Sequence, residues 1–271
     1  MRRIQPSRGL VPIDARELWR YRALLTYFIR RDVKSRYKQT FLGPLWAILR
    51  PLASMVLFSA IFGGLAGIKP GSDIPYPLFV YPGVLVFNYF SSVLTGSAAC
   101  LLNVGGLMSK VYFPRLFAPV SAVTTPIVDF VIALVIVGGL FGYFGRVPSW
   151  HAVFLPAFFL LAITAGVGVG IWLAGVAVRY RDVQYLLPYA TQFLMYATPV
   201  IYPPSFVPER YRWLLDLNPM TGVVSGFRWS LLGVQPPSLW SIVSSVCFGV
   251  VATGCGLFFF RRTERTIVDM I

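Results

Sequence analysis

Hydrophobic and polar positions follow two regimes along this chain. Up to residue 44 they are mixed, and beyond it they separate into long apolar runs divided by short polar breaks. In the mixed part Leu18, Tyr21, Leu25 and Phe28 recur at spacings of three and four, while Arg16, Arg20, Arg22, Arg30 and Arg31 fall largely elsewhere on the helical wheel. That pattern predicts a basic amphipathic helix, either lying in a membrane interface or solvated and packed on a neighbour. Trp19, Tyr21, Tyr27 and Tyr37 favour the interface, because amphipathic rings suit the headgroup layer. Asp14 with Glu17 three residues later reads as a capping box that starts the helix, after an irregular arm containing Pro6, Gly9 and Pro12.

The segment Arg30 to Pro51, RRDVKSRYKQTFLGPLWAILRP, joins the two regimes. Its first half sets Arg30, Arg31, Lys34, Arg36 and Lys38 beside one acid, Asp32, and such a cluster stays in water. Its second half enters the first apolar run through Gly43-Pro44. Six runs follow, about Leu45–Gly67, Leu78–Leu101, Pro119–Phe144, Val153–Val178, Tyr185–Ile201 and Leu239–Phe260. They predict six membrane-spanning helices over residues 45–271, behind an N-terminal region of residues 1–44. Between the fifth and sixth runs, residues 202–238 hold amphipathic pieces Glu209–Leu217 and Met220–Leu232, broken at Asn218-Pro219. Each piece is too short to span, so the pair is expected to re-enter the outer leaflet, where irregular backbone survives only if packed on protein or lining a cavity. A gate at the outer mouth and an extracellular cap without gating role both fit. The fold class is an all-α polytopic membrane protein.

Composition agrees: of 271 residues 56% are hydrophobic and 13% charged, about half the charged fraction of a soluble domain. The net charge of +14 has a position as well as a size, since residues 1–44 hold eleven of the 24 Lys and Arg. Putting the N-terminus inside leaves 18 basic residues on inside segments and 5 on outside ones, with Arg50 within a span. This is the positive-inside bias of a six-span protein with both ends in the cytoplasm. The basic cluster abuts a span and faces anionic headgroups, which argues against a nucleic-acid partner. The first 30 residues contain no apolar core of a signal peptide, so the N-terminus is expected to be retained.

Candidate chemistry is sparse. Cys100, Cys247 and Cys255 read as small buried thiols, with no pattern of metal ligands. The single histidine, His151, sits beside Trp150 at a predicted outer boundary. Asp129 is the one acid deep within a span, so paired-carboxylate catalysis lacks its partner and the chain is not expected to be an enzyme. Arg50, about one turn into the first span, has three readings: snorkelling to the surface, pairing with Asp129, or holding an anionic group of a substrate. No phosphate-binding GxxxxGK[ST] loop occurs and intramembrane acids are few, so energy is expected from an external motor. Three charged, aromatic segments could dock one: the helix up to Lys38, SKVYFPRLFAP at Ser109–Pro119, and VRYRDV at Val178–Val183.

RRDVKSRYKQTFLGPLWAILRPL, LMSKVYFPRLFAP, VRYRDV and LNPMTGVVSGFRW, in this order over nearly the whole chain, resemble the permease subunits of ABC-2 type transporters that export bacterial surface polysaccharides. The resemblance implies a homodimer in the bacterial inner membrane, paired 2:2 with ATP-hydrolysing subunits. ATP and magnesium would be held by those subunits, and this chain would bind no cofactor itself. It further implies that Arg31, Asp32, Arg36 and Tyr37, with Lys110, Tyr112, Phe113 and Arg115, transmit ATP-driven motion. The half-helices around Asn218 and Pro219, with Arg228 and Trp229, would form the periplasmic gate. The cargo would be a polyisoprenyl-pyrophosphate-linked polysaccharide such as O-antigen, and aromatic rings suit the C–H faces of sugars. Tyr185, Tyr189, Phe193 and Tyr196 recur along one stripe of the fifth run and are the candidate channel lining; Tyr76, Phe79, Tyr81, Phe87, Tyr89 and Phe90 around the second run are further candidates. Helix packing and lipid-facing aromatic belts are the competing account of these rings. An ABC-2 drug or lipid exporter, a membrane enzyme acting on lipid-linked sugars and a structural scaffold are the alternative functions.

Overall fold

The computed structural model describes residues 19–38, 40–71, 74–108 and 113–263, with the backbone alone for 105–108. Among the described residues there is no strand. Asp14, Glu17, Lys110 and Tyr112 lie outside them.

The N-terminal helix α1 runs Arg22–Tyr37. A 3-10 turn at Gly43–Leu45, with Pro44 where a missing N–H costs nothing, leads into α2, Trp46–Phe58, which passes into a π-helical stretch at Ser59–Leu65. Four long helices follow: α3 (Tyr76–Met108), α4 (Phe117–Tyr143), α5 (Leu155–Arg179) and, after the interruptions below, α9 (Leu239–Thr263). With Gly43–Leu65 these make five helical segments long and apolar enough to cross a membrane.

The fifth predicted span is shorter than the apolar run suggested. Helix α6 covers Val183–Ala197, 15 residues. Thr198 is extended (φ −93°, ψ 142°); it precedes Pro199, whose ring disfavours the helical conformation for the residue before it. The chain continues without helix through Tyr202. Two short helices then appear, α7 (Arg212–Leu217) and α8 (Pro219–Leu232), separated at Asn218 as the sequence predicts. Asn218 is extended, and its side-chain oxygen accepts from the Met220 N–H (3.0 Å). Left-handed Gly233 (φ 66°) closes α8.

Helix α3 is the centre of the protomer. Leu78, Val80, Tyr81, Val84, Val86 and Phe87 are all buried, so apolar residues surround it almost completely. Lipid is as apolar as these side chains, so the arrangement is held by close packing and hydrogen bonds rather than by removal of apolar surface from water. The rings Tyr89, Phe130 and Phe159 interlock there, with centroids 4.3–5.3 Å apart. A smaller cluster lies at the opposite end from α8, where Phe28 of α1 packs on Leu101, Phe113, Phe117, Ile171 and Phe260. Helix α1 is therefore seated on neighbouring helices through Phe28, while Trp19 and Tyr27 remain exposed. Of the cysteines only Cys100 is buried; Cys247 and Cys255 are on the outward side of α9, against the expectation of three buried thiols.

Candidate functional site

Two acids fix α1 to α4. Asp32 of α1 accepts from the Ser121 hydroxyl of α4 (2.7 Å) and is held in place by Arg31, at 2.8–2.9 Å. Four residues further along α1, Arg36 forms an ion pair with Asp129 of α4 (2.9 Å), and the Tyr37 hydroxyl donates to the same carboxylate. Partial burial, reinforced by the hydrogen bond and charge of Asp129, pushes the Tyr37 phenol up to about 12, so it stays a donor. Arg31 also covers the face of Phe28, 5.0 Å from its centroid. The four residues singled out in the first motif thus share one seam, with Ser121 and Asp129 opposite them.

Phe113, in the candidate docking segment Ser109–Pro119, does not project from the surface. It is buried, edge-on to Phe28 at 5.0 Å, so the start of α4 and α1 share a core. Arg115, two residues on, is partly exposed. Arg179 stacks over Tyr180 (5.6 Å) at the end of α5, and Tyr180 is exposed. Arg50 is exposed and lies over Trp46 at 5.7 Å; Asp129 is engaged by Arg36 and Tyr37 instead. A cavity of about 610 Å³ is nevertheless bordered by Arg36, Tyr37, Arg50, Asn88 and Asp129, so two cations and one carboxylate face a common space.

The aromatic stripe of α6 is on the surface of the protomer: Tyr185, Tyr189, Phe193 and Tyr196 are 76%, 65%, 74% and 47% exposed. On this helix Leu187 and Thr191 are the buried residues, so α6 is fastened to the protomer by a narrow edge. The rings proposed around the second run are different. Tyr76, Phe79, Tyr81, Phe87, Tyr89 and Phe90 are all buried, because α3 is central and its aromatics pack against neighbouring helices.

At the far end, Arg228 of α8, in the segment expected to form re-entrant half-helices, is 2% exposed. It donates to the carbonyls of Phe79 (3.0 Å), Pro199 (2.5 Å) and Val200. Its guanidinium also lies 3.8 Å from the centroid of Phe79. Gly83 on α3 lets it approach: a Cβ there would be 2.9 Å from a guanidinium nitrogen. Asn218 donates to Thr198 Oγ1 (2.9 Å), joining the α7–α8 break to the end of α6. Trp229 forms one side of an aromatic group in which His151 lies between it and Trp150, at 4.4 and 4.2 Å. Ser121 and Gly83 carry no signal in sequence, since a serine and a glycine within apolar runs read as ordinary small residues. Asp129 did signal a partner, by being the one acid deep in a span.

The profile of the ABC-2 type transporter family matches residues 23–232. The chain is 32% identical over 254 residues to the O-antigen export system permease protein RfbA of Myxococcus xanthus, covering 92% of this chain and 96% of the relative. It is 26% identical to the protein of the same description in Klebsiella pneumoniae, over 92% and 95% of the two chains. The polysialic acid transport protein KpsM of Escherichia coli is 24% identical, over 88% and 92%.

Proposed function

Since this chain belongs to the ABC-2 type transporter family, we propose that it is the membrane permease subunit of an ATP-driven exporter of lipid-linked polysaccharide such as O-antigen. The observation that carries this reading is end-to-end similarity to permeases described as exporting O-antigen and, more distantly, polysialic acid. Two copies of the chain pair with two separate ATPase subunits in the bacterial inner membrane, with both termini in the cytoplasm. Six crossings result, the fifth made by α6 together with the non-helical segment that follows it.

Motion of the ATPase enters through α1 and the segment before α4. The seam of Asp32, Ser121, Arg36, Tyr37 and Asp129 supports this, because it makes α1 and α4 move together. The α6 stripes of the two copies face a shared channel, where rings contact successive sugars without fixing a hydrogen-bond pattern. Arg50, with Arg36 beside the same cavity, attracts the pyrophosphate of the lipid carrier. The segment from residue 202 to 238 closes the outer mouth.

The test is co-purification with the ATPase encoded beside it, then ATPase assays in liposomes with and without lipid-linked glycan. A 2:2 complex whose ATP hydrolysis responds to the glycan is the expected result. A chain that recruits no ATPase overturns the reading, and a response to free lipids or drugs but not to glycan turns it towards a drug or lipid exporter.

A further inference from the structure

The two short helices α7 and α8 differ in how they are held, and the difference assigns them different parts. Ten of the residues of α8 are buried, against Leu215 alone in α7. Helix α8 is wedged by close backbone approach on two sides. A Cβ on Gly222 would collide with Ser241 and Ser245 of α9, and one on Gly226 with the ring of Phe158 of α5. Ser245 adds a hydrogen bond to the Pro219 carbonyl (2.5 Å). On the remaining side Arg228 binds three carbonyls from two other elements, α3 and the turn after α6.

Those carbonyls have a reason to need it. The Pro199 and Val200 carbonyls lie past the end of α6, in a turn outside any helical ladder, and the Phe79 carbonyl is in the first turn of α3, one turn before Pro82. A buried guanidinium keeps its charge, and among the described residues its contacts include no carboxylate, only these dipoles and the Phe79 ring. Moving α8 would therefore strand the cation and three acceptors at once.

Helix α7 has none of this. Trp213, Leu214 and Leu217 are 58%, 50% and 65% exposed, and its attachments to α9 are at the surface: Ser238 to Asp216 (2.5 Å) and Ser244 to the Leu217 carbonyl (3.1 Å). An open apolar groove lies between Trp213 and Leu217 of α7 and Trp240, Val243 and Phe248 of α9. The extended Asn218 interrupts the helical ladder between the two helices, and its side chain is anchored to Met220 and Thr198, so it is the fixed point about which α7 can turn.

We propose that α8 is a fixed abutment locked by Arg228 in the notch of Gly83, and that the segment Glu209–Leu217 is the moving half of the outer closure, turning at Asn218. This deepens the exporter reading of the same segment. Arg228 is then a positioning residue: it holds the surface against which the moving half closes and touches no cargo.

Hydrogen–deuterium exchange on the purified permease–ATPase complex tests it. In the unmodified complex the amides of residues 220–232 should exchange at least about tenfold more slowly than those of 209–217. Vanadate trapping with ATP should alter exchange in 209–217 and leave 220–232 unchanged. Gly83→Ala, which keeps every native hydrogen-bonding group but fills the notch, should speed exchange in 220–232 and raise passive leak of small ions from liposomes at an unchanged basal ATPase rate. Arg228→Met should do the same. Equal exchange in the two helices of the unmodified complex, or a nucleotide-dependent change centred on 220–232, overturns the assignment without needing either variant to fold. Exchange as expected in a complex that moves no glycan would leave the lock standing and remove the exporter reading instead.

Discussion

A carboxylate surrounded by apolar helices persists only where something answers its charge, and two groups of α1 answer Asp129. The ion pair with Arg36 is about a third exposed on the arginine side, at 35%, so screening limits it to about 0.5–1 kcal/mol. The Tyr37 hydrogen bond adds about 1 kcal/mol. Asp129→Asn keeps an acceptor for Tyr37 and removes the ion pair, so the expected result is normal expression and ATPase binding with export reduced about fivefold, the effect of roughly 1 kcal/mol of coupling. Export measured against ATP hydrolysis in the same liposomes checks it. The sequence exposes Asp129 because an acid in a span is costly, and exposes Arg36 and Tyr37 through their motif. It could not join them, because the contact depends on how α1 climbs along α4, and nothing in residues 30–38 reports that angle. Arg50 shows the same limit: its nearness to Asp129 in an apolar setting suggested a pair that α1 had already taken.

At the scale of elements, the least legible was α6. Fifteen residues rise about 22 Å, against a hydrocarbon core of about 30 Å. Hydropathy saw one run through Ile201 and could not see that Thr198-Pro199 ends the helix within it. What makes the extended remainder tolerable is that its carbonyls are bound, Pro199 and Val200 by Arg228, and Ile201 by the Tyr76 hydroxyl (2.5 Å). Tyr76→Phe should therefore leave Ile201 unpaired and cost about 1–3 kcal/mol, lowering the melting midpoint in detergent by several degrees. An unchanged midpoint would mean that the carbonyl has another partner. The break at Asn218-Pro219 was legible because capping is local chemistry, read from consecutive residues. The burial of Arg228 was not, since its three acceptors come from residues 79, 199 and 200.

The whole protomer leaves most of α6 uncovered, and four aromatic residues on that surface are a large area to hold against lipid alone. In a homodimer they are expected to meet or face one another. With Cys100, Cys247 and Cys255 replaced by serine, Tyr189→Cys should give a dimer cross-linked by a bismaleimide long enough to span the channel; a strictly monomeric product would count against a channel built on this helix. Tyr189→Ala with Phe193→Ala should lower export at least about tenfold while ATPase binding is retained, since a ring face packed on the C–H face of a sugar is taken to contribute about 0.5–1.5 kcal/mol, as in aromatic pairs. The seat of α1 carries a further consequence, one of timing. Its partners Ser121 and Asp129 lie 89 and 92 residues downstream of the groups they bind, so they do not yet exist when α1 leaves the ribosome. During insertion of the first two spans α1 must wait in water, kept soluble by its own arginines and lysines. The N-terminal helix thus finds its seat only when the third span arrives.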